Sequence, residues 1–359
     1  MAKQLMKGNE AIAEAAIQAD ALNYFCYPIT PQTEIAEYLA KRMPEVGGVF
    51  LQAESEVAAS NMVYGAACTG KRAFTTSSSP GISLMQEAMS YIAATELPAV
   101  IVNIMRCGPG LGGILPAQAD YFQATKGGGH GDYHALVLAP STIQEAADLM
   151  MDAFDLADKY RSPVMLVGDG MIGQMMEPVE FKPRQAKTKV NKDWAVTGCK
   201  GRAPRILTSL YLDPNEMEKV NERLTAKYAQ MKREDVRFEV TACENDCEVL
   251  LVAYGTMARI CKSVMAALAD EKHKIGLFRP ITLFPFPEVA LEKAATQAKK
   301  ILVVEMSCGQ MLEDVERVVG KGKEIHFYGR TGGNVPTPEE IIKKIHVILS
   351  EAKNPAKRS

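Results

Sequence analysis

No apolar run in this chain approaches the roughly 20 residues that a bilayer span requires. The first ten residues, Met-Ala-Lys-Gln-Leu-Met-Lys-Gly-Asn-Glu, hold no apolar core of the signal-peptide kind. A cytoplasmic protein with no membrane partner is therefore expected. No Cys-x-x-Cys occurs among the eight cysteines. The nearest pair, Cys243 and Cys247, lies in Ala-Cys-Glu-Asn-Asp-Cys-Glu, with too few ligands for zinc or an iron–sulfur cluster. Reduced thiols are expected, and no metal site. Neither sign of charge prevails, since the net charge is -2, which gives no global pull toward nucleic acid or acidic lipid.

What is present is a soluble globular composition, 47% hydrophobic and 23% charged, over 359 residues, enough for two or three domains. The stretch from Leu51 to Met85 organises the rest. A short strand, Val49 to Leu51, leads to a carboxylate pair, Glu54 and Glu56. A run of small residues then suits a tightly packed helix, which Gly70 ends. Ala73 to Thr76 reads as a buried strand, and a Ser-rich loop closes on Pro80-Gly81. A carboxylate thus sits at a strand-to-helix junction with a polar loop beside it. On these residues alone, an ordinary helix-start carboxylate favoured by the helix dipole accounts for Glu56 as well as any catalytic role. Glu56 followed nine residues later by Gly65, with Ala58, Ala59 and Ala66 around them, resembles the pyrimidine-binding domain of thiamine diphosphate enzymes. The resemblance implies that Glu56 hydrogen-bonds the aminopyrimidine ring and acts as its acid–base partner.

Upstream, Asn9 can cap a helix from Glu10 to Ala19. The strand Tyr24 to Cys26 runs into Tyr27-Pro28-Ile29-Thr30-Pro31, where two prolines hold the backbone extended and present Thr30 at the strand end. Tyr-Pro-Ile-Thr-Pro after a Gly-Asn-Glu-Ala helix resembles the 2-oxoacid:ferredoxin oxidoreductases. That resemblance implies that Thr30 contacts the carboxylate of a 2-oxoacid and that Tyr27, Pro28 and Ile29 lie beside the cofactor. The nearly all-apolar stretch Pro98 to Met105 reads as a strand buried on both faces. It ends at Arg106, where open α/β sheets bind ligands and where a guanidinium fork can hold a carboxylate. In the family an arginine here faces the substrate, and Arg106 matches it. Gly108 to Gly113 satisfies G-x-G-x-x-G but opens no helix, so it reads as an active-site loop. His130 and His134 sit in a glycine-rich loop and receive no role.

Gly168-Asp169-Gly170 imitates the start of a magnesium–diphosphate motif, but no Asn-Asn occurs anywhere in the chain. By resemblance it is the closing turn of the pyrimidine domain, and the diphosphate half lies on another chain. Lys182 to Arg205 carries eight Lys or Arg and a single acid, Asp193, and reads as a solvated arm. Asp213-Pro214 starts a charged helix with a stripe of Met217, Val220, Leu224, Tyr228 and Met231. Beyond it strands and helices alternate again, and Arg-Pro-Ile-Thr-Leu-Phe-Pro-Phe-Pro from Arg279 resembles the C-terminal domain of transketolase-like enzymes.

The expected fold is therefore α/β, with two open, mostly parallel sheets of thiamine diphosphate-enzyme type. Residues 1–178 form the pyrimidine-binding domain, 179–245 a connecting arm and charged helix, and 246–359 the transketolase C-terminal-like domain. The resemblance is to an α-type subunit, nearest the branched-chain (2-oxoisovalerate) members. It implies oxidative decarboxylation of a 2-oxoacid with coenzyme A and ferredoxin. It also implies thiamine diphosphate shared with a β subunit that carries the diphosphate and magnesium motif, iron–sulfur clusters on that β subunit and on a ferredoxin-like subunit, and a γ subunit as a further partner. A subunit of an NAD-linked 2-oxoacid dehydrogenase complex, a transketolase-like enzyme and a non-catalytic scaffold are the alternatives.

Overall fold

The computed structural model describes residues 3–182, 190–243, 246–271 and 273–351. Its strands, in chain order, are β1 (Gln4–Lys7), β2 (Asn23–Cys26), β3 (Val49–Gln52), β4 (Ala73–Ser77), β5 (Ala99–Met105), β6 (Leu136–Leu138) and β7 (Pro163–Asp169). They continue with β8 (Met176–Val179), β9 (Phe238–Thr241), β10 (Cys247–Val252), β11 (Ile275–Pro280), β12 (Thr282–Phe284), β13 (Ala298–Glu305) and β14 (Glu324–Gly329). The first sheet has the order β12-β6-β7-β5-β4-β2-β3 and the second β14-β13-β10-β11-β9. Within each, all neighbours run parallel except the added strands β12 and β9. β1 and β8 form a separate antiparallel ribbon.

Burial explains the sequence of the central strands. β4, β5, β6 and β7 are buried at every residue, as strands covered on both faces must be. The helix Gly8–Gln18 packs on Thr33–Glu45 and Ile143–Tyr160, while Glu56–Cys68 packs on Pro80–Ala94. In β10 the period of two divides the residues between two cores. Leu250 and Val252 join the large core shared with the first sheet. Val249 and Leu251 join a smaller core with Met257, Ile341 and Ile345.

The two sheets are more closely tied than their separation in sequence suggests. β12, from within the signature Arg-Pro-Ile-Thr-Leu-Phe, leaves the second sheet and pairs antiparallel with β6 of the first. Phe284 of this strap stacks on His134 at 4.1 Å between ring centres, with Tyr228 edge-on to the imidazole. Burial lowers the imidazole pKa of His134. β9, from the connecting region, forms the antiparallel edge of the second sheet. The charged helix is Pro214–Glu234, capped by Asp213, and it buries Val220, Leu224, Tyr228 and Met231. Residues 183–189 of the basic stretch lie outside the described residues. Within its described part Lys192 bonds the Gly70 carbonyl at 3.0 Å and pairs with Asp158 at 2.7 Å, and Arg205 bonds the Ala195 carbonyl. No helix among the described residues is long and apolar enough to cross a membrane.

Arg279 is the main ionic tie near the strap. It is 6% exposed, forks onto Glu145 at 2.8 and 2.9 Å, and reaches Glu239 at 2.9 Å. It thereby joins the helix Ile143–Tyr160 of the first unit to β11 and β9 of the second. Removing one partner of a buried pair leaves an uncompensated charge, at a cost of about 3–5 kcal/mol. Arg279→Ala should lower the unfolding free energy in a denaturant titration by about 3 kcal/mol, toward the lower end because Glu145 and Glu239 are partly solvated. A loss under about 1 kcal/mol would reduce the pair to a surface contact.

Candidate active site

The site is assembled where the parallel strands of the first sheet end. Ser55, in extended conformation, caps the helix Glu56–Cys68, its Oγ accepting from the Ala58 N–H at 3.2 Å. Glu56 is therefore the first helical residue, where the dipole favours a carboxylate. It is only 6% exposed, and among the described residues no hydrogen bond to its carboxylate is found. It rests against Gly81. A Cβ on Gly81 would stand 2.6 Å from Glu56 Oε1 and 2.1 Å from Ser77 Oγ, so any larger residue there would displace one of these side chains. The hydroxyls of Thr75, Ser77 and Ser78 are buried without a hydrogen-bond partner among the described residues. Buried polar groups are rarely left so. The expected Ser-rich loop is shorter than its sequence suggests, because the next helix opens at Pro80 itself. Gly65, the second half of the sequence motif, is exposed and would meet nothing in this chain if it carried a side chain.

Thr30 ends the turn that follows β2, and its side of the site is set by the first helix. Asn9 does not cap that helix. The helix Gly8–Gln18 starts two residues earlier than expected, with the Lys7 N–H on the Glu10 carboxylate at 3.0 Å. Asn9 is instead wholly buried and donates to the Pro31 carbonyl and to Glu34, both at 2.8 Å. Gly8 permits this approach, since a Cβ there would lie 1.8 Å from the Ile172 carbonyl oxygen. The Gly-Asn pair thus fixes the turn that carries Tyr27, Pro28, Ile29 and Thr30. Of these four, Pro28 and Thr30 are exposed and the other two half-buried.

Arg106 joins Thr30 directly. Its Nη1 donates to the Thr30 carbonyl at 2.9 Å and its Nη2 to the Leu111 carbonyl at 3.0 Å, while Nε is buried and unpartnered. The fork expected to hold a carboxylate is thus engaged with two backbone carbonyls, one from each flanking loop. Beyond it, the glycine-rich loop turns back so that the Cys107 N–H reaches the Leu115 carbonyl at 2.9 Å. Leu111, Ile114 and Leu115 on this loop are exposed.

A polar knot that sequence reasoning passed over lies behind Arg106. Ser79 donates to Asp120 at 2.6 Å and accepts from the Arg106 N–H at 3.0 Å, and its own N–H reaches Asn103 at 3.0 Å. Asn103 also donates to Asp120 at 2.9 Å. Burial raises the Asp120 carboxyl pKa, and the Ser79 and Asn103 bonds and the Arg106 charge offset part of that rise. The available signal was Asn103, the one polar residue inside the apolar strand Ala99–Met105.

Asp169 has a different task from the one its motif imitates. It is 1% exposed, and its Oδ1 accepts from the N–H groups of Met171 and Ile172 at 2.9 and 3.3 Å. Its Oδ2 faces Gly255, at the start of the helix Gly255–Ala267 from the second unit. Burial pushes its carboxyl pKa up. The acid is committed to helix starts in both units. Among the described residues, no group of three or more His, Cys, Asp or Glu is arranged to hold a metal.

Residues 14–245 match the family described as pyruvate flavodoxin/ferredoxin oxidoreductase, thiamine diphosphate-binding, and residues 247–341 match pyruvate:ferredoxin oxidoreductase core domain II. The chain belongs to the 2-oxoacid:ferredoxin oxidoreductase family. It is 47% identical to ketoisovalerate oxidoreductase subunit VorB of Methanothermobacter marburgensis, over 98% of this chain and 99% of the relative. To 2-oxoglutarate synthase subunit KorA of Methanocaldococcus jannaschii it is 36% identical, over 96% of this chain and all of the relative. The 2-oxoglutarate:ferredoxin oxidoreductase of Magnetococcus marinus, solved with 2-oxoglutarate, coenzyme A and succinyl-CoA bound, superposes with a TM-score of 0.87 at 27% identity. That alignment covers 97% of this chain but 65% of the solved one. A split-gene transketolase shares the fold, at a TM-score of 0.58 and 12% identity. Membership makes the chain an oxidoreductase subunit of a multi-subunit enzyme, with a thiamine diphosphate-binding domain. The expected α/β class and the family of this chain are both borne out.

The close approach at Gly81 gives a test within this family. In the assembled oxidoreductase, Gly81→Ala should cut turnover by about 100-fold, as expected when a reacting group is displaced by about an ångström. Circular dichroism and assembly should stay normal. Turnover within threefold of the wild type would show that the Glu56 carboxylate does not need its present seat.

Proposed function

We propose that this subunit supplies the pyrimidine side of a thiamine diphosphate site that decarboxylates a branched-chain 2-oxoacid, such as 2-oxoisovalerate, to its acyl-CoA. The observation that carries this reading is the Glu56 carboxylate, buried at a helix N-terminus with no hydrogen-bond donor among the described residues and packed against Gly81, beside the unpartnered hydroxyl of Ser77. An ordinary helix-start carboxylate would be exposed or capped. When bound, thiamine diphosphate supplies a carbon nucleophile and an electron sink for the decarboxylation. Glu56 would hold a proton at a carboxyl oxygen toward the aminopyrimidine ring, and Tyr27, Pro28 and Ile29 would border that ring. Thr30 and Arg106 would orient the substrate carboxylate. For Arg106 this requires the fork to exchange the Leu111 carbonyl for the incoming anion, a charge-assisted contact that is the stronger of the two.

Two things support the branched-chain substrate. Identity is higher to the ketoisovalerate relative than to the 2-oxoglutarate one. The loop bonded to Arg106 also offers apolar side chains, Leu111, Ile114 and Leu115, rather than a second cation for a distal carboxylate. The diphosphate and its magnesium would be held in trans by a β subunit, because Asp169, the nearest candidate here, is spent on helix starts. Iron–sulfur clusters would sit on the β and ferredoxin-like subunits, with a γ subunit completing a cytoplasmic assembly.

The test is kinetic. Glu56→Gln in the assembled enzyme should lower 2-oxoisovalerate-dependent reduction of a viologen dye by at least about 100-fold at saturating cofactor. Near-normal turnover would return Glu56 to a helix-start role. Arg106→Lys should raise the KM for the 2-oxoacid by about tenfold, since an ammonium cannot reproduce a planar fork. An unchanged KM would remove Arg106 from the substrate.

A further inference from the structure

Glu56 opens a helix and Arg106 follows the strand Ala99–Met105, yet one residue touches the mounting of both. Ser79 lies between β4 and the helix Pro80–Ala94, and β4 pairs with β5 so that Ser77 faces Asn103. Two residues beyond Ser79 is Gly81, the seat of the Glu56 carboxylate. Across the sheet, the Ser79 hydroxyl receives the backbone N–H of Arg106. Ser79 itself is held at a φ of 27°, in the left-handed region that non-glycine residues avoid. Such a conformation persists only where its surroundings over-determine it. Here those surroundings are the hydrogen bonds to Asn103, Asp120 and the Arg106 backbone.

We propose that Asp120 is a positioning residue that, through Ser79, sets the acid–base carboxylate and the substrate-binding guanidinium relative to each other. This rests on the reading of Glu56 and Arg106 given above. Asp120 makes the shortest bond in the knot, 2.6 Å, to the Ser79 hydroxyl, as expected of a charge-assisted contact. That bond orients the hydroxyl so that its lone pairs face the Arg106 N–H. Asn103 completes the frame by donating to Asp120 and accepting from Ser79. Asp120 is itself firmly placed. Gln118, two residues before it, is wholly buried and is tied to Met306 by a pair of bonds, at 2.9 and 3.0 Å, and to the Tyr254 carbonyl at 2.9 Å. The position of the second unit is thus passed through Gln118 and Asp120 to Ser79, and from there to both working residues.

The test uses the assembled oxidoreductase with 2-oxoisovalerate and a viologen acceptor. Asp120→Ala should lower kcat and raise KM together, for a combined loss in kcat/KM of about tenfold or more, because both residues lose registration. Asp120→Asn keeps an acceptor oxygen for Ser79 and Asn103 and should recover most of that loss. Ser79→Ala should show the same paired change, and the double variant Asp120→Ala with Ser79→Ala should be no worse than the more impaired single one. The proposal is overturned by normal kinetics in Asp120→Ala, by an Asp120→Asn variant as impaired as the alanine, or by losses that multiply in the double variant. If Asp120→Ala does not assemble, Asp120→Asn and Ser79→Ala decide: a near-normal first and a paired loss in the second support it, and any other pattern overturns it. Glu56→Gln is measured alongside, so that retained activity there separates failure of the underlying reading from failure of the Asp120 role.

Discussion

Asp169 can be satisfied only when the two halves of the molecule meet. It is a wholly buried carboxylate, and no cation is bonded to it among the described residues. An isolated charge in such a place would be expensive. Two N–H groups of its own short helix cover one oxygen, and the start of a helix from the second unit stands over the other. Each helix start brings a partial positive charge to the acid. The consequence reaches beyond the pair. Asp169 ends β7 and Gly255 follows β10, so the C-terminal ends of the two parallel sheets are brought face to face. Gln118 and Met306 repeat that meeting a short distance away.

Open α/β sheets bind ligands at these strand ends. Setting one such end against another leaves a wall of fixed groups on one side of the Arg106 loop. It also explains why most of the polar residues there contact other protein groups, while those around Glu56 do not. The site is therefore asymmetric. Arg106, Asp120 and Asn103 are all bonded to Ser79, whereas the Glu56 carboxylate and the hydroxyls of Ser77 and Ser78 have no hydrogen-bond partner among the described residues. Exposed apolar side chains stand close to both, Val57 just after Glu56 and Leu111, Ile114 and Leu115 after Arg106. Such a surface suits a subunit that works within an assembly.

Much of this was readable in the residues because the signals were local. A strand, a carboxylate and a run of small residues announced the Glu56 helix. Proline on both sides of Thr30 announced its turn, and a fully apolar strand announced the position of Arg106. What escaped was in each case long-range. Asn9 resembles a helix cap by type and position, but its amide is taken by the Pro31 carbonyl, 22 residues away. The Ser79–Asp120 bond spans 41 residues, and no periodicity links its ends. Gly168-Asp169-Gly170 shows the same limit from the other direction, because its role depends on Gly255. The three-residue strand β12 gives no alternation long enough to assign it a sheet, and only its pairing with β6 does so.

That strand also has a bearing on how the protein is made. The first sheet is nearly complete by residue 169, yet β6 is left with an uncovered edge until Thr282–Phe284 emerges from the ribosome. For more than a hundred residues of synthesis, a nascent chain would carry a row of unpaired backbone groups next to apolar Leu136, Val137 and Leu138. Edges of that kind are where growing or partly folded chains associate wrongly. The strap therefore makes the first unit dependent on the second before any cofactor is involved, and cutting the gene between them would separate a sheet from its own border.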